Sequence, residues 1–369
     1  MKSIIFDIST LIVIIALTTS ISGIAQNEKL SFERIGFDEG LTDEHAYSML
    51  QDSKGYIWIG TVGGLFKYDG YSFKRYQFDP LDSNSLSQNL IYTIWEDPQS
   101  SIWVSTFEGL CKFDRHTEKF TRYKPDPNSS FADPNISAIS DDKHGTMWVG
   151  NWSGEISRFD TKTGKFLPEK LDLKFNKLHG NDAALHDGIF RLYKDRQGVL
   201  WIANSAGLHN LDVQRSDVGH PADVKIKSYL HDPTNPNSIS GRYVYSIFED
   251  HKGVIWLGTN KGLDSLDPLM DRIRHYPHDR ANGQSKGSHH PEEWYSCVIR
   301  EDQQGNLWLA TTSGLYKLNE TRTEFTRYKH DPTDNKSLSS ESLTTLLVDR
   351  SGILWTGSWT GKLNKANLN

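Results

Sequence analysis

The chain has 369 residues and a formal net charge of −6, from 41 Lys and Arg against 47 Asp and Glu. With no basic run anywhere, that balance speaks against a nucleic-acid surface. Eleven Trp, fifteen Tyr and sixteen Phe suit an all-β protein whose sheets pack on aromatic rings.

The first residues read MKSIIFDISTLIVIIALTTSISGIAQ. Lys2 forms a thin basic start, Leu11 to Leu17 an apolar core, and the small residues ending at Ala25 a cleavage site. Residues 1–25 are therefore expected to be a secretory signal and residues 26–369 the folded, periplasmic part. Asp7 fits this pattern poorly, and a retained anchor is the alternative. No later segment approaches the roughly 18 apolar residues of a membrane helix, so no membrane contact is expected beyond the signal.

After the signal comes Ser31 to Phe37, SFERIGF, which reads as an outer strand with nothing before it to pair with. The next stretch reads as a four-stranded meander. HAYSMLQD is strand A, YIWIGT strand B, GLFKYD strand C and FKRYQF strand D. Asp52 and Gly55 bracket the A–B turn, the carboxylate accepting turn amides and Gly taking a positive φ. Asp69-Gly70 is a hairpin signal between C and D.

The same unit recurs six more times. DSKGYIWIGTVGGL is followed by DPQSSIWVSTFEGL, DKHGTMWVGNWSGE, DRQGVLWIANSAGL, DHKGVIWLGTNKGL, DQQGNLWLATTSGL and DRSGILWTGSWTGK. The second copy has Ser101 where the turn Gly is expected, and the third lacks the Gly-Leu pair. The shared Trp falls at Trp58, Trp103, Trp148, Trp201, Trp256, Trp308 and Trp355, at spacings of 45 to 55 residues. That is the period of propeller blades. The last copy runs A, B and C and stops, which leaves a gap that the orphan strand at Ser31–Phe37 would fill. The expectation is a seven-bladed β-propeller of four-stranded antiparallel blades, closed by the N-terminal strand pairing with the last blade. Closure removes the open sheet edge.

Each blade leaves one apolar face uncovered, and the shared Trp is the natural filler between blades. Burying about 150–250 Å² of indole at about 25 cal/mol per Å² contributes roughly 4–6 kcal/mol as an upper figure. All seven shared Trp are assigned to the scaffold. Cys111 and Cys297 fall in the second and sixth copies, too far apart on a ring to bridge, and read as small buried residues.

The pattern D-x-x-G-x-x-W-x-G-T-x-x-G-L, followed by an aromatic strand and a DP…NSLS connector, resembles the two-component regulator propeller repeats. DPLDSNSLSQNLIYTIWED, DPTNPNSISGRYVYSIFED and DPTDNKSLSSESLTTLLVD carry the connector. Such repeats form the periplasmic sensor region of Bacteroides-type hybrid two-component histidine kinases, which regulate polysaccharide use. The resemblance implies a sensor with further domains: a second propeller, an Ig-like domain, a membrane helix, a kinase. An oligosaccharide is the implied ligand, and a second propeller or a receptor dimer the implied partner.

In such a meander the B–C turns and D–A connectors share one face. The middle residues of the B–C turns are Val62, Phe107, Trp152, Ser205, Asn260, Thr312 and Trp359. Around a closed ring, Trp359, Val62, Phe107 and Trp152 make an apolar arc and the remaining three a polar one. A sugar suits such a mouth, its C–H face stacking on rings while its hydroxyls take hydrogen bonds. The alternative is that these rings plug the pore or pack on their own D–A loops. Candidate ligand residues are Phe107, Trp152, Asn260 and Trp359, joined by Arg242, Tyr243 and Trp294 from the connectors. The connectors Glu169–Gly188 and Pro277–Tyr295 are long, as binding loops on rigid scaffolds tend to be.

His289, His290, Glu292 and Glu293 lack a spacing that converges on a metal, and DPTDNKSLSSES lacks the Gly and Glu of a calcium loop. No metal and no cofactor is expected. As a catalytic alternative, Arg191, Arg242 and Arg300 with Tyr243 and Glu293 resemble a glycosidase or lyase set. Arg191 and Arg300 come late in their strands, which should place them away from the loop face, and are expected to line or salt-bridge the central channel instead. A protein-docking disc is the third reading.

Overall fold

The computed structural model describes residues 30–36, 40–41, 45–142, 145–167, 188–211, 226–276 and 298–369. The chain divides into residues 1–30 and Ser31–Asn369. The expected signal segment lies outside the described residues. Every strand belongs to the second unit, which holds 28 strands and, among the described residues, no α-helix. These form seven four-stranded antiparallel sheets, and the unit is a seven-bladed β-propeller.

The first blade is β2 (Ala46–Gln51), β3 (Ile57–Thr61), β4 (Leu65–Tyr68) and β5 (Phe73–Tyr76), paired in that order. The alternation of β3 sets its two faces. Ile57 and Ile59 pack with Trp355 of the seventh blade, while Trp58 packs with Ile102 and Val104 of the second. The same relation places Trp103 against Met147 and Val149, and Trp201 against Ile255 and Leu257. All seven indoles are at most 5% exposed. Gly64 shows why the B–C turn needs glycine. Its φ is +142°, and a Cβ there would lie 2.4 Å from the Tyr76 carbonyl oxygen on β5.

The D-x-x-G-x-x-W spacing does more than make a turn. In every blade the indole N–H donates to the Asp six residues earlier, at 2.7 Å for Trp58–Asp52, Trp201–Asp195 and Trp308–Asp302. The distances are 2.9 Å for Trp103–Asp97, 3.2 Å for Trp148–Asp142, 2.8 Å for Trp256–Asp250 and 2.9 Å for Trp355–Asp349. In the first blade the other carboxylate oxygen accepts the amides of Lys54 and Tyr56. The buried Asp52 carboxylate is thus satisfied by its own turn, its own Trp and Arg115 of the second blade, which donates to it at 2.6 Å. In the second blade the left-handed turn position, three residues after Asp97, is Ser100, with φ 62°; Ser101, the residue singled out in the sequence, follows it.

Closure follows the expected route. β1 (Glu33–Ile35) pairs antiparallel with β28 (Leu363–Asn367), next to β27 (Ile353–Ser358) and β26 (Leu343–Val348). Ile35 and Leu363 are buried in the same cluster as Ile57 and Phe66 of the first blade. Arg34 donates to the carbonyls of Asp334 (3.0 Å) and Ser337 (3.1 Å) in the connector to the last blade. Arg122 of the second blade's outer strand does the same to Asp82 (2.8 Å) and Ser85 (2.9 Å). The N-terminal strand therefore occupies the outer-strand place in the seventh blade, contact for contact. Each DP…S-L connector is closed by its Ser, which accepts the amide of Asp79, Asp232 or Asp331 at 2.8–3.0 Å. The apolar residue after it, Leu86, Ile239 or Leu338, is wholly buried.

Cys111 is buried with a free thiol. Its sulfur accepts the Ser87 amide at 3.4 Å, the role that Asp264 and Asn364 fill in other blades for Ser240 and Ser339. Cys297 lies outside the described residues.

Candidate functional site: an aromatic collar around the channel mouth

The innermost strand of each blade packs beside those of its neighbours. Besides β2 and β26, these strands are β6 (Ile91–Glu96), β10 (Ile136–Asp141), β14 (Ile189–Lys194), β18 (Val244–Glu249) and β22 (Val298–Glu301). In six of the seven the pairing register slips by one between the first and third residues. The residues at the slip are Tyr47, Tyr92, Ser137, Phe190, Tyr245 and Thr344. A bulge re-aims the side chain of its extra residue, and here it sends four aromatic rings toward one another across blade boundaries.

These rings join those of the B–C turns into one chain of edge and stacked contacts. Trp359 meets His45 at 5.0 Å and Tyr47 at 6.2 Å. Tyr47 meets Tyr92 at 5.8 Å, and Tyr92 meets Phe107 at 5.2 Å and Trp152 at 5.6 Å. Trp152 meets Phe190 at 5.7 Å, Phe190 meets Tyr245 at 5.4 Å, and Tyr245 stacks on Tyr243 at 6.0 Å. The collar runs from the seventh blade through the first to the fifth. In the third blade the bulge residue is Ser137, whose hydroxyl reaches the Ile189 carbonyl of the next inner strand at 2.5 Å.

The turns and connectors do share a face. The turn residues Val62, Trp152, Asn260 and Trp359 each donate their amide, at 3.1 Å, to a carbonyl just before an inner strand: His45, Asn135, Tyr243 and Ser342. Phe107 and Trp359 stay 36% and 38% exposed, and Trp152 is half-buried. The third and seventh blades, which lack Gly-Leu, have B–C turns one residue longer: Gly150 pairs with Ile156 and Gly357 with Leu363, where Gly60 pairs with Leu65. These longer turns carry the two turn Trp.

The expected polar arc is built differently. Ser205 is 3% exposed. The Asn260 side-chain oxygen accepts the Tyr243 amide at 3.2 Å, so that side chain fastens turn to connector. Arg242 is half-buried beside it and forms no hydrogen bond or ion pair with described residues. Tyr243 belongs to the collar. Trp294, Glu293 and the long connectors, except Gly188, lie outside the described residues.

Two phenols of the collar, Tyr47 and Tyr243, make no hydrogen bond to described residues. The Trp152 indole N–H lies close to the Tyr92 hydroxyl without closing a well-formed bond. Burial raises the Tyr47 pKa, and burial together with the nearby Tyr47 pushes Tyr92 up to about 12. Both phenols are therefore neutral at physiological pH and can donate as well as accept. The sequence signal for the collar was present as a column: AYSML, IYTIW, IFRLY and VYSIF each have an aromatic second residue.

Arg191 and Arg300 sit on inner strands β14 and β22, half-buried, with their hydrogen bonds directed at their own chain. No carboxylate among the described residues pairs with either. Among those residues no group of His, Cys, Asp or Glu could hold a metal ion, and no helix is long and apolar enough to cross a membrane.

Residues 40–63 and 238–261 match the model of the two component regulator propeller. Over 97 residues the chain is 35% identical to Histidine kinase P4 of Formosa agariphila, a stretch covering 26% of this chain and 7% of that protein. Among solved structures, it resembles the extracellular domain of a hybrid two component system from B. thetaiotaomicron with a TM-score of 0.70 and 23% identity, over 91% of this chain and 42% of that one. A second such domain from the same organism gives 0.68 at 21% identity, over 91% and 39%. A streptogramin B lyase gives 0.59 at 15% identity, over 92% and 98%. The chain thus spans less than half the length of the sensor structures it matches, and at these identities the likeness is one of fold.

Proposed function

From two-component regulator propeller repeats closed into a ring, we propose that this chain is a ligand-sensing propeller, exported to the periplasm, that binds an oligosaccharide at its aromatic collar. The carrying observation is the collar itself. Rings from Trp359 through Tyr243 line one side of a mouth with exposed turn aromatics and unengaged phenols. Sugar C–H faces stack on such rings, and hydroxyls pair with phenols that have no partner among the described residues. The collar itself is made of aromatic rings, phenols and the His45 imidazole, and the carboxylates beside it are held by protein partners: Glu108 by Lys124, Asp133 by Ser153 and Glu155 by Asn151. That arrangement favours holding a ligand. Signal output would come from further domains of the kind the sensor relatives carry, with a second propeller or a receptor dimer as the partner.

Titration calorimetry of the purified protein against a panel of neutral and acidic oligosaccharides tests this reading. At least one is expected to bind, and Trp152→Ala with Trp359→Ala should abolish the heat while leaving the melting temperature within a few degrees. A folded protein that binds no oligosaccharide overturns the proposal.

A further inference from the structure

We propose that the channel wall below the collar, between Arg191 and Arg300, holds an oxyanion: the carboxylate or sulfate ester of an acidic oligosaccharide. This deepens the sugar-binding reading and, as to the source of the anion, rests on it.

The two arginines stand on innermost strands, β14 and β22, separated by β18, which packs beside both. Arg191 pairs in register with Ala203 and Arg300 with Trp308. These partners lie two residues after the shared Trp of one blade and at the shared Trp of the other. Side chains two residues apart in a strand share a face, so both arginines leave their sheets on the same side. Arg191 directly follows the collar residue Phe190, which places it at the inner edge of the mouth. Its Nη1 donates to the Phe190 carbonyl at 2.8 Å, and Arg300 Nη1 donates to the Ile299 carbonyl at 2.7 Å. Those bonds are the only ones either guanidinium makes with described residues. Each guanidinium carries five N–H donors, so most are unspent.

Neither nearby carboxylate pairs with Arg191 or Arg300, although Glu249 Oε1 is buried without a partner of its own among the described residues. Glu249 accepts the Tyr193 hydroxyl and the Arg196 amide, both at 3.1 Å. Glu301 follows Arg300 and so points to the opposite face, where it accepts the His251 amide at 2.8 Å and Arg322 at 3.1 Å. Two half-buried cations therefore share a channel with no anion from the described residues. Burial holds both below the usual arginine range, and the charge of Arg191 further lowers Arg300, to about 10. Leaving guanidinium groups desolvated and uncompensated is costly, and an oxyanion held in a forked, charge-assisted pair removes that cost. Arg242, on the connector into β18, adds at the rim above a third guanidinium without an acceptor among the described residues.

Thermal melts in millimolar sodium sulfate against sodium chloride of equal ionic strength, paired with calorimetry, test the site. The wild type should be stabilised by sulfate, and Arg191→Gln and Arg300→Gln should lose that response. A merely structural arginine would destabilise the ion-free protein when replaced; here Arg300→Gln should melt at the wild-type temperature or above. If Arg300→Gln does not fold, Arg191→Gln and Arg300→Lys serve, the latter keeping charge while losing the fork. A uronate oligosaccharide and a sulfated one separate the two sources of anion. Whichever binds should weaken by about tenfold to a hundredfold in the Gln variants, while neutral sugars are unaffected. If no sugar binds but the sulfate response still requires the arginines, the sugar reading fails and the anion site stands. Equal sulfate responses in wild type and variants, or acidic-sugar affinities indifferent to both arginines, overturn the site.

Discussion

Deleting the carboxylate that clamps a blade Trp gives the sharpest test of the scaffold. In the second blade, Asp97 accepts the Gln99 amide at 3.0 Å, the Ser101 amide at 2.7 Å and the Trp103 indole at 2.9 Å. Asp97 is 4% exposed and Trp103 wholly buried. Asp97→Ala strands the buried indole N–H, at about 1–3 kcal/mol, and loosens two turn amides at about 0.5–1.5 kcal/mol each. The expected cost is about 3–5 kcal/mol. Trp103→Phe keeps a ring between the blades but removes the donor from a charged acceptor, for about 1.5–3 kcal/mol plus a smaller cavity cost. If the clamp is a real bond and not just proximity, the two losses overlap. The double variant should then be milder than their sum by about 1.5–3 kcal/mol. Equilibrium urea unfolding followed by circular dichroism measures all four proteins, with unchanged m-values as the check that the transition is comparable. A coupling below about 0.5 kcal/mol would mean that the Asp serves the turn alone and the Trp only fills space, and the account of the repeat spacing would be wrong.

Two further outcomes are expected. Ile35→Ala, in the strand that closes the ring, should cost about 2–4 kcal/mol, because Ile35 is 2% exposed in the cluster shared by the seventh and first blades. Hydrogen exchange should quicken first along β28, and an unchanged β28 would refute closure by pairing. His275 is a pH-sensitive group. Burial pulls its pKa down, but the hydrogen bond to Asp264 at 2.8 Å, the Asp264 charge and the Pro236 carbonyl outweigh that and leave it raised above 6.5. A raised folded-state pKa gives stability that is fully present below pH 6.5 and lost as pH rises through the folded value. The stability gap between wild type and His275→Gln should therefore be wider at pH 5.5 than at pH 8.5, and a gap constant across that range would count against the pair.

The blade and its closure could be read from the sequence because they rest on short-range chemistry. Asp52, Gly55 and Trp58 lie within seven residues of one another, so one turn and one strand bring them together wherever they occur. Seven repetitions then fix the number of blades, and a strand without partners at one end answers a blade lacking a strand at the other. Even so, the indole–carboxylate bond inside that motif was not evident, since strand alternation gives a side chain's face and not the atom it reaches.

The collar needed the tertiary structure. Tyr47, Tyr92, Phe190 and Tyr245 sit at bulges, and a bulge breaks the period of two by which strands are read. Their contacts cross blade boundaries, so they exist only once inner strands 45 or more residues apart in sequence stand side by side. Arg191 and Arg300 depend on the same long-range assembly. The sequence places each near a channel, but that neither cation pairs with a described carboxylate is decided by where Glu249 and Glu301 reach, and that is set by register between strands that only the closed ring brings together.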